Sequence, residues 1–221
     1  AVQGPVTGGL ADEKGPILLT VQPDNASLNI SQEQKIILTF DELLDPVSVV
    51  ASIQLEFDLD YRLKIRGQKL IIYPNKTWPE NSIIRINISR NIQDYQKNMM
   101  SQPIQLIYST GLEIPKGTII GKIIGYNPKK LIELGLYEWP LSDSSTFIQR
   151  IEADEKGQFQ FNSIDYGKYS IAAVEGILKN ISKQIEKKNY ALLSSDYIGL
   201  SHDNQKERVK LLLSEPLKKL N

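Results

Sequence analysis

GQFQFNSIDYGKYSIAAVEG, residues 157–176, decides the class of fold. The polar turn Asp154-Glu155-Lys156-Gly157 leads into it, and Phe159 and Phe161 then alternate with Gln158 and Gln160. That is the period-2 pattern of a strand with one buried face. An Ile164-Asp165-Tyr166-Gly167-Lys168-Tyr169 corner follows, and then a second strand. Two strands joined at a corner are parts of a small antiparallel β-sandwich rather than of a catalytic constellation.

Upstream, TIIGKIIGY (118–126), LIELGLYEWP (131–140) and STFIQRIEA (145–153) read as strands of the same unit. GLEIPKG (111–117) is a linker stiffened by Pro115. Before it, ILLTVQP (17–23), ASLNI (26–30), KIILTF (35–40), residues 52–57, YRLKIRG (61–67), KLIIYP (69–74), IIRINIS (83–89) and PIQLIYST (103–110) are each strand-like. Asp45-Pro46 marks a turn and Gly67-Gln68 a hairpin. Strands this closely spaced, with no long helix between them, predict antiparallel sandwiches. Residues 1–15 carry Pro, Gly and charges without periodicity and predict a flexible leader. After residue 176, ILKNISKQIEKKNYALLS is a short helix or an excursion, and VKLLLSEPL (209–217) a final strand.

Composition narrows the function. Twenty-six basic and 26 acidic side chains balance, so no global field recruits nucleic acid. There is no cysteine, hence no disulfide and no thiolate chemistry. No apolar run reaches the ~20 residues that span a bilayer. His202 lies in the polar stretch SHDNQKE with only Asp203 beside it, which makes neither a triad nor a zinc site. Asp41-Glu42 and Asp58/Asp60 are carboxylate pairs that could hold a weak calcium or saccharide site, or could simply serve loop amides. No phosphate-binding or nucleophile-elbow motif occurs. Neither an enzyme nor a cofactor is expected.

Surfaces offer more. Arg62, Lys64 and Arg66 share one face of a strand as a basic stripe, either solvated or able to meet an acidic partner. Trp78 and Trp139 each precede Pro in a turn. A turn tryptophan can stack on a sugar, anchor an interface, or pack over the end of its own sandwich. These five residues form the candidate interaction surface.

Two resemblances then emerge. Residues 16–111 resemble the bacterial Ig-like domain of surface-layer-associated type. The residues that carry this are Pro16, PDNASLNI, Leu38-Thr39-Phe40-Asp41-Glu42, Asp45-Pro46, KLIIYP, the WPENS turn before IIRINIS, and the closing YSTG. Residues 117–176 resemble the carboxypeptidase-regulatory-like, or collagen-adhesin B-type, fold through GTIIGKI, DEKGQFQF and IDYGKYSIAAV. Some members of that group form a Lys–Asn isopeptide bond. Lys122 is the available amine, but the strand YSIAAVE has no Asn, so none is expected. The order of the two domains behind Pro5-Val6-Thr7-Gly8-Gly9 is similar to exported lipoproteins of Bacteroidetes-type bacteria. That likeness implies a lipidated Cys just before Ala1.

The expectation is therefore an all-β chain of two tandem antiparallel β-sandwich domains, Ig-like then prealbumin-like, behind a flexible N-terminal leader. Residues 177–221 form an extension from which a strand is expected to return to the second domain. The expected role is a non-catalytic lipoprotein subunit, anchored by its lipid to the outer membrane on the periplasmic or extracellular face. Its partners would be protein subunits of an envelope complex, not nucleic acid. The alternative role is a carbohydrate- or protein-binding surface adhesin.

Overall fold

The computed structural model describes residues 13–56 and 59–217. The expected flexible leader falls mainly on residues 1–12, which lie outside the described residues, as does Asp58. The fold is nearly all β and comprises two sandwiches, each with its own apolar core.

In the first sandwich one sheet has the order β1-β2-β5-β4, from β1 (Leu18–Gln22), β2 (Ile36–Phe40), β5 (Lys69–Pro74) and β4 (Tyr61–Arg66). The facing sheet is β3-β6-β7, from β3 (Ile53–Leu55), β6 (Ile83–Ile88) and β7 (Ile104–Ser109). Alternation explains the packing: Ile36, Leu38 and Phe40 point in from β2, Leu70 and Ile72 from β5, and Ile84, Ile86 and Ile88 from β6. Gly67, at φ +60, makes the tight β4–β5 turn that an L side chain would strain.

Two local expectations change. Residues 46–52 form a helix, α1 (Pro46–Ser52), rather than a simple turn. Asp45 caps it by accepting from the Val47 N–H, and Pro46 starts it with a φ already suited to a helix. ASLNI is no strand, because Ala26 and Asn29 take positive φ (66° and 50°). It still lies along β7: the Asn25 side chain accepts from Ile107 N–H at 2.8 Å, and Ser109 exchanges backbone bonds with Ser27 and Ile30.

The second sandwich sets a sheet β10-β9-β12, flanked by β13 and β14, against a sheet β11-β8-β15. Its strands are β8 (Gly117–Ile124), β9 (Ile132–Glu138), β10 (Phe147–Glu152), β11 (Gln158–Ile164), β12 (Gly167–Glu175), β13 (Tyr190–Leu192), β14 (Ile198–Leu200) and β15 (Lys206–Leu212). The stretch that decides the class is β11, the corner and β12. Phe159 lies flat over Gly121 of β8, where a Cβ would fall 2.1 Å from the ring. At the corner the Tyr169 hydroxyl donates to the Asp165 carbonyl at 2.7 Å, a tyrosine corner that pins the crossing between sheets.

Residues 177–214 are no appendage, for they supply three strands and the short helix α2 (Ile181–Gln184). The helix segment covers the outer face of β9 and β12 through Leu178 and Ile181, packed on Tyr137 and Val174. β15 pairs with β8 in parallel, so the purely antiparallel expectation is corrected at this strand. Lys122 of β8 is exposed rather than buried beside a proton-moving acid, the setting an isopeptide bond needs.

Candidate functional site

The period-2 alternation of β6 has a second consequence. Ile84, Ile86 and Ile88 serve the first core, so Arg85, Asn87 and the following Ser89 face the other way, on to the second sandwich. Arg85 Nη2 donates to the Ser163 carbonyl at 2.7 Å, and Asn87 Nδ2 to the Arg150 carbonyl at 2.8 Å. Ser89 Oγ donates to Glu152 Oε2 at 2.5 Å, and the Arg90 N–H reaches Oε1 at 3.3 Å. From β7, Gln105 Nε2 donates to the Gln160 carbonyl at 2.9 Å. The junction is thus a polar seam between two apolar cores.

Charges are buried in it. Arg90 Nε lies 3.4 Å from Glu152 Oε1, with the two side chains 4% and 6% exposed. Arg90 Nη2 also donates to the carbonyls of Pro128 (2.8 Å) and Lys130 (3.1 Å). Arg85 pairs with Glu56 at 3.5 Å, and Arg150 with Glu133 at 3.9 Å. Burial pushes the Glu152 carboxyl up to about 7, against the hydrogen bonds from Ser89 and Arg90 that lower it. Burial does the same to Glu56, also to about 7, opposed by the Arg85 charge. Desolvation outweighs pairing at both sites. The space left at the Glu133–Arg150–Glu152 end of the seam is about 20 Å³, near the volume one water needs. That space is too small for a substrate, and Glu133 and Glu152 there serve the joint; Glu56 borders a separate groove of about 160 Å³ with Phe147, Ile148 and Arg150.

The second sandwich carries an exposed aromatic cluster. Trp139, just past β9 and followed by a cis peptide to Pro140, is 42% exposed. Its ring centroid lies 5.5 Å from that of Tyr197, itself 41% exposed. Lys168 of β12 places its Nζ 4.4 Å from the Tyr197 centroid and 5.4 Å from that of Trp139. Next to Trp139 a groove of about 520 Å³ runs past Glu138, Ser144, Ser145, Thr146 and Phe147. Rings with hydroxyls and a carboxylate alongside can stack on and hydrogen-bond a sugar.

The other sequence candidates separate cleanly. Trp78 is 1% exposed and its indole donates to the Gln34 carbonyl at 2.8 Å, so it is core and not interaction surface. Arg62, Lys64 and Arg66 do project from one exposed face, and β4 is an edge strand. Basic side chains on an open edge discourage pairing with a second chain. Asp41 accepts from Ile17 N–H and Asp60 from Asn75, both as loop ties. His202 is exposed beside Asp203. Among the described residues no group of three or more His, Asp or Glu could hold a metal. Sequence reasoning missed the seam, whose one signal was charge inside apolar strands (Arg85 in IIRINI, Arg150 and Glu152 in FIQRIE). It also missed Tyr197 and Lys168, which only the fold brings to Trp139.

Fold and surfaces together define a class: an all-β protein of tandem sandwiches whose buried polar groups sit at a domain junction. More particularly, residues 12–110 match the family model of the bacterial Ig-like domain. No curated protein matches the sequence. Among solved structures, the chain is similar to an L,D-transpeptidase from Mycobacterium smegmatis, at 12% identity over 90% of this chain and 89% of that one, with TM-score 0.34. It is also similar to BcpA, the major pilin subunit of Bacillus cereus, at 14% identity over 90% and 70%, TM-score 0.29. A third likeness is to alpha-2-macroglobulin from Escherichia coli, at 12% identity over 74% and 67%, TM-score 0.32. At these scores the likeness carries no argument about function.

Proposed function

We propose that this protein is a non-catalytic structural or accessory subunit of an outer-membrane or cell-surface assembly, anchored by a lipid on a cysteine upstream of Ala1. The observation that carries the reading is the charged seam. An ordinary apolar contact would hold two sandwiches together. Buried Arg85–Glu56 and Arg90–Glu152 pairs instead penalise any other docking angle, because each shift would leave a buried charge unpaired. A module that must present its two ends in a fixed relation has use for such a joint. One acyl chain binds a bilayer only marginally, so the anchor would carry more than one.

The test is gentle extraction of the native protein from membranes, followed by intact-mass analysis. A mass above the 25.0 kDa chain by an acylated cysteine, with partners in fixed ratio, is the expected result. A solitary, unmodified chain refutes the reading. A second reading, a carbohydrate-binding surface adhesin, is favoured by the Trp139–Tyr197–Lys168 cluster and its groove. It requires glycan binding by the isolated protein that Trp139→Ala abolishes.

A further inference from the structure

The second sandwich does not close on itself. At one end of the gap Tyr190, at the start of β13, and Ser214, just past β15, bond both ways, N–H to carbonyl, at 3.0 and 2.7 Å. Beyond that bridge the two segments part, and a groove of about 630 Å³ opens there, lined by residues 193–195, by residues 208–210 of β15 and, across the sheet, by residues 120–122 of β8 and Gln158 of β11. The ladder fixes which backbone groups face it. Thr118 donates to the Gln205 carbonyl at one end and Leu213 to the Ile124 carbonyl at the other, with Lys206 opposite Thr118. In a parallel ladder this register turns the N–H and C=O of Glu207, Val209 and Leu211 towards β8, and those of Lys206, Arg208 and Lys210 outward. The side chains of those same three residues are exposed, and so is that of Lys122 opposite Lys210. Four cations therefore flank an open strand edge.

We propose that this groove takes an extended acidic segment of a partner protein, which adds to β15 as a further strand. The inference rests on the subunit reading above and names how that subunit would hold its partner. Edge β4 is basic too, but among the grooves described none borders it, and there the charges act as a guard. Beside β15, Leu193 and Val209 give an apolar wall against which an added strand can pack. Carboxylates at alternate positions of that strand would share the face of Arg208, Lys210 and Lys122. Backbone bonds supply the affinity of such strand addition, and the alternate side chains supply its selectivity.

The test titrates isotope-labelled full-length protein with a synthetic octapeptide of alternating Glu and Val, using the Lys–Val octapeptide as control, and follows amide exchange by residue. The Glu–Val peptide is expected to slow the Arg208 and Lys210 amides about tenfold or more, and the control to leave them unchanged. Lys210→Pro removes only an outward N–H, at an edge position where proline is tolerated, and is expected to weaken binding about tenfold. Arg208→Glu leaves the backbone intact and is expected to weaken it comparably. Unchanged exchange at millimolar peptide, or binding by both Lys210→Pro and Arg208→Glu as tight as by the unsubstituted protein, overturns the proposal. Either result leaves the subunit reading standing, since that is decided separately by the native mass.

Discussion

Replacing Arg90 with Met tests whether the seam is held by charge. Arg90 is 3% exposed and its partner Glu152 is 7% exposed, so neither is rescued by solvent when the other goes. Truncation removes the cation 3.4 Å from the carboxylate and the donor shared by the Pro128 and Lys130 carbonyls. Stranding a buried charge costs about 3–5 kcal/mol, while the two carbonyls alone account for about 1–2 kcal/mol. The two contributions separate with pH. At pH 8 the Glu152 carboxyl of the unsubstituted protein is ionised, and removing its cation is costly whether the carboxylate stays charged or is forced to take up a proton. At pH 5 it holds a proton, since burial has raised it to about 7 and loss of Arg90 raises it further. Only the smaller cost should then remain. Arg90→Met with Glu152→Met removes both charges and is expected to recover about 2 kcal/mol or more at pH 8. Urea unfolding of the three variants at both pH values measures this. A single-variant loss that is the same at pH 5 and pH 8, or a double variant no more stable than the single, would refute the reasoning.

The unsubstituted protein should itself lose stability as the medium becomes less acidic. Glu56 and Glu152 bind protons more tightly folded, at about 7, than in the unfolded chain, near 4.3 for a free Glu side chain. Their favourable contribution is complete below the unfolded value and is lost as pH rises through about 7, on the order of 3 kcal/mol per site. The urea midpoint is expected to fall between pH 5 and pH 8; a rise over that window would contradict it. The two tryptophans should also part company: Trp78→Ala costs about 3–5 kcal/mol as a core deletion, and Trp139→Ala less than about 1 kcal/mol as a surface change. Comparable losses in urea unfolding would sink the assignment of one to core and the other to surface.

The strands were legible because their alternation is a direct imprint of one buried face. β2, β4 and β11 show it residue by residue. Where the reading slipped, two signals competed. Asp45-Pro46 reads as a turn, yet the same two residues are start signals for a helix, and PVSVVAS follows them as one. In ASLNI the alternation is real, but positive φ at Ala26 and Asn29 prevents a regular ladder. The tryptophans show the limit most plainly. Both sit in a Trp-Pro dipeptide, so nothing local distinguishes them, and only distant neighbours bury one and expose the other. The seam was illegible for a related reason: a charge inside an apolar strand says that something faces it, and not what.

The pairing of β15 with β8 also sets a clock. Thr118 waits for Lys206, 206 minus 118 or 88 positions further along the chain, before that strand has its second neighbour. Contacts so distant in sequence form slowly. While the chain is being made, the first sandwich has all its strands long before the second can be sealed. Until β15 arrives, β8 is an unfinished edge in search of a neighbour. That interval is when mispairing with another copy, or capture by a chaperone, has its opening.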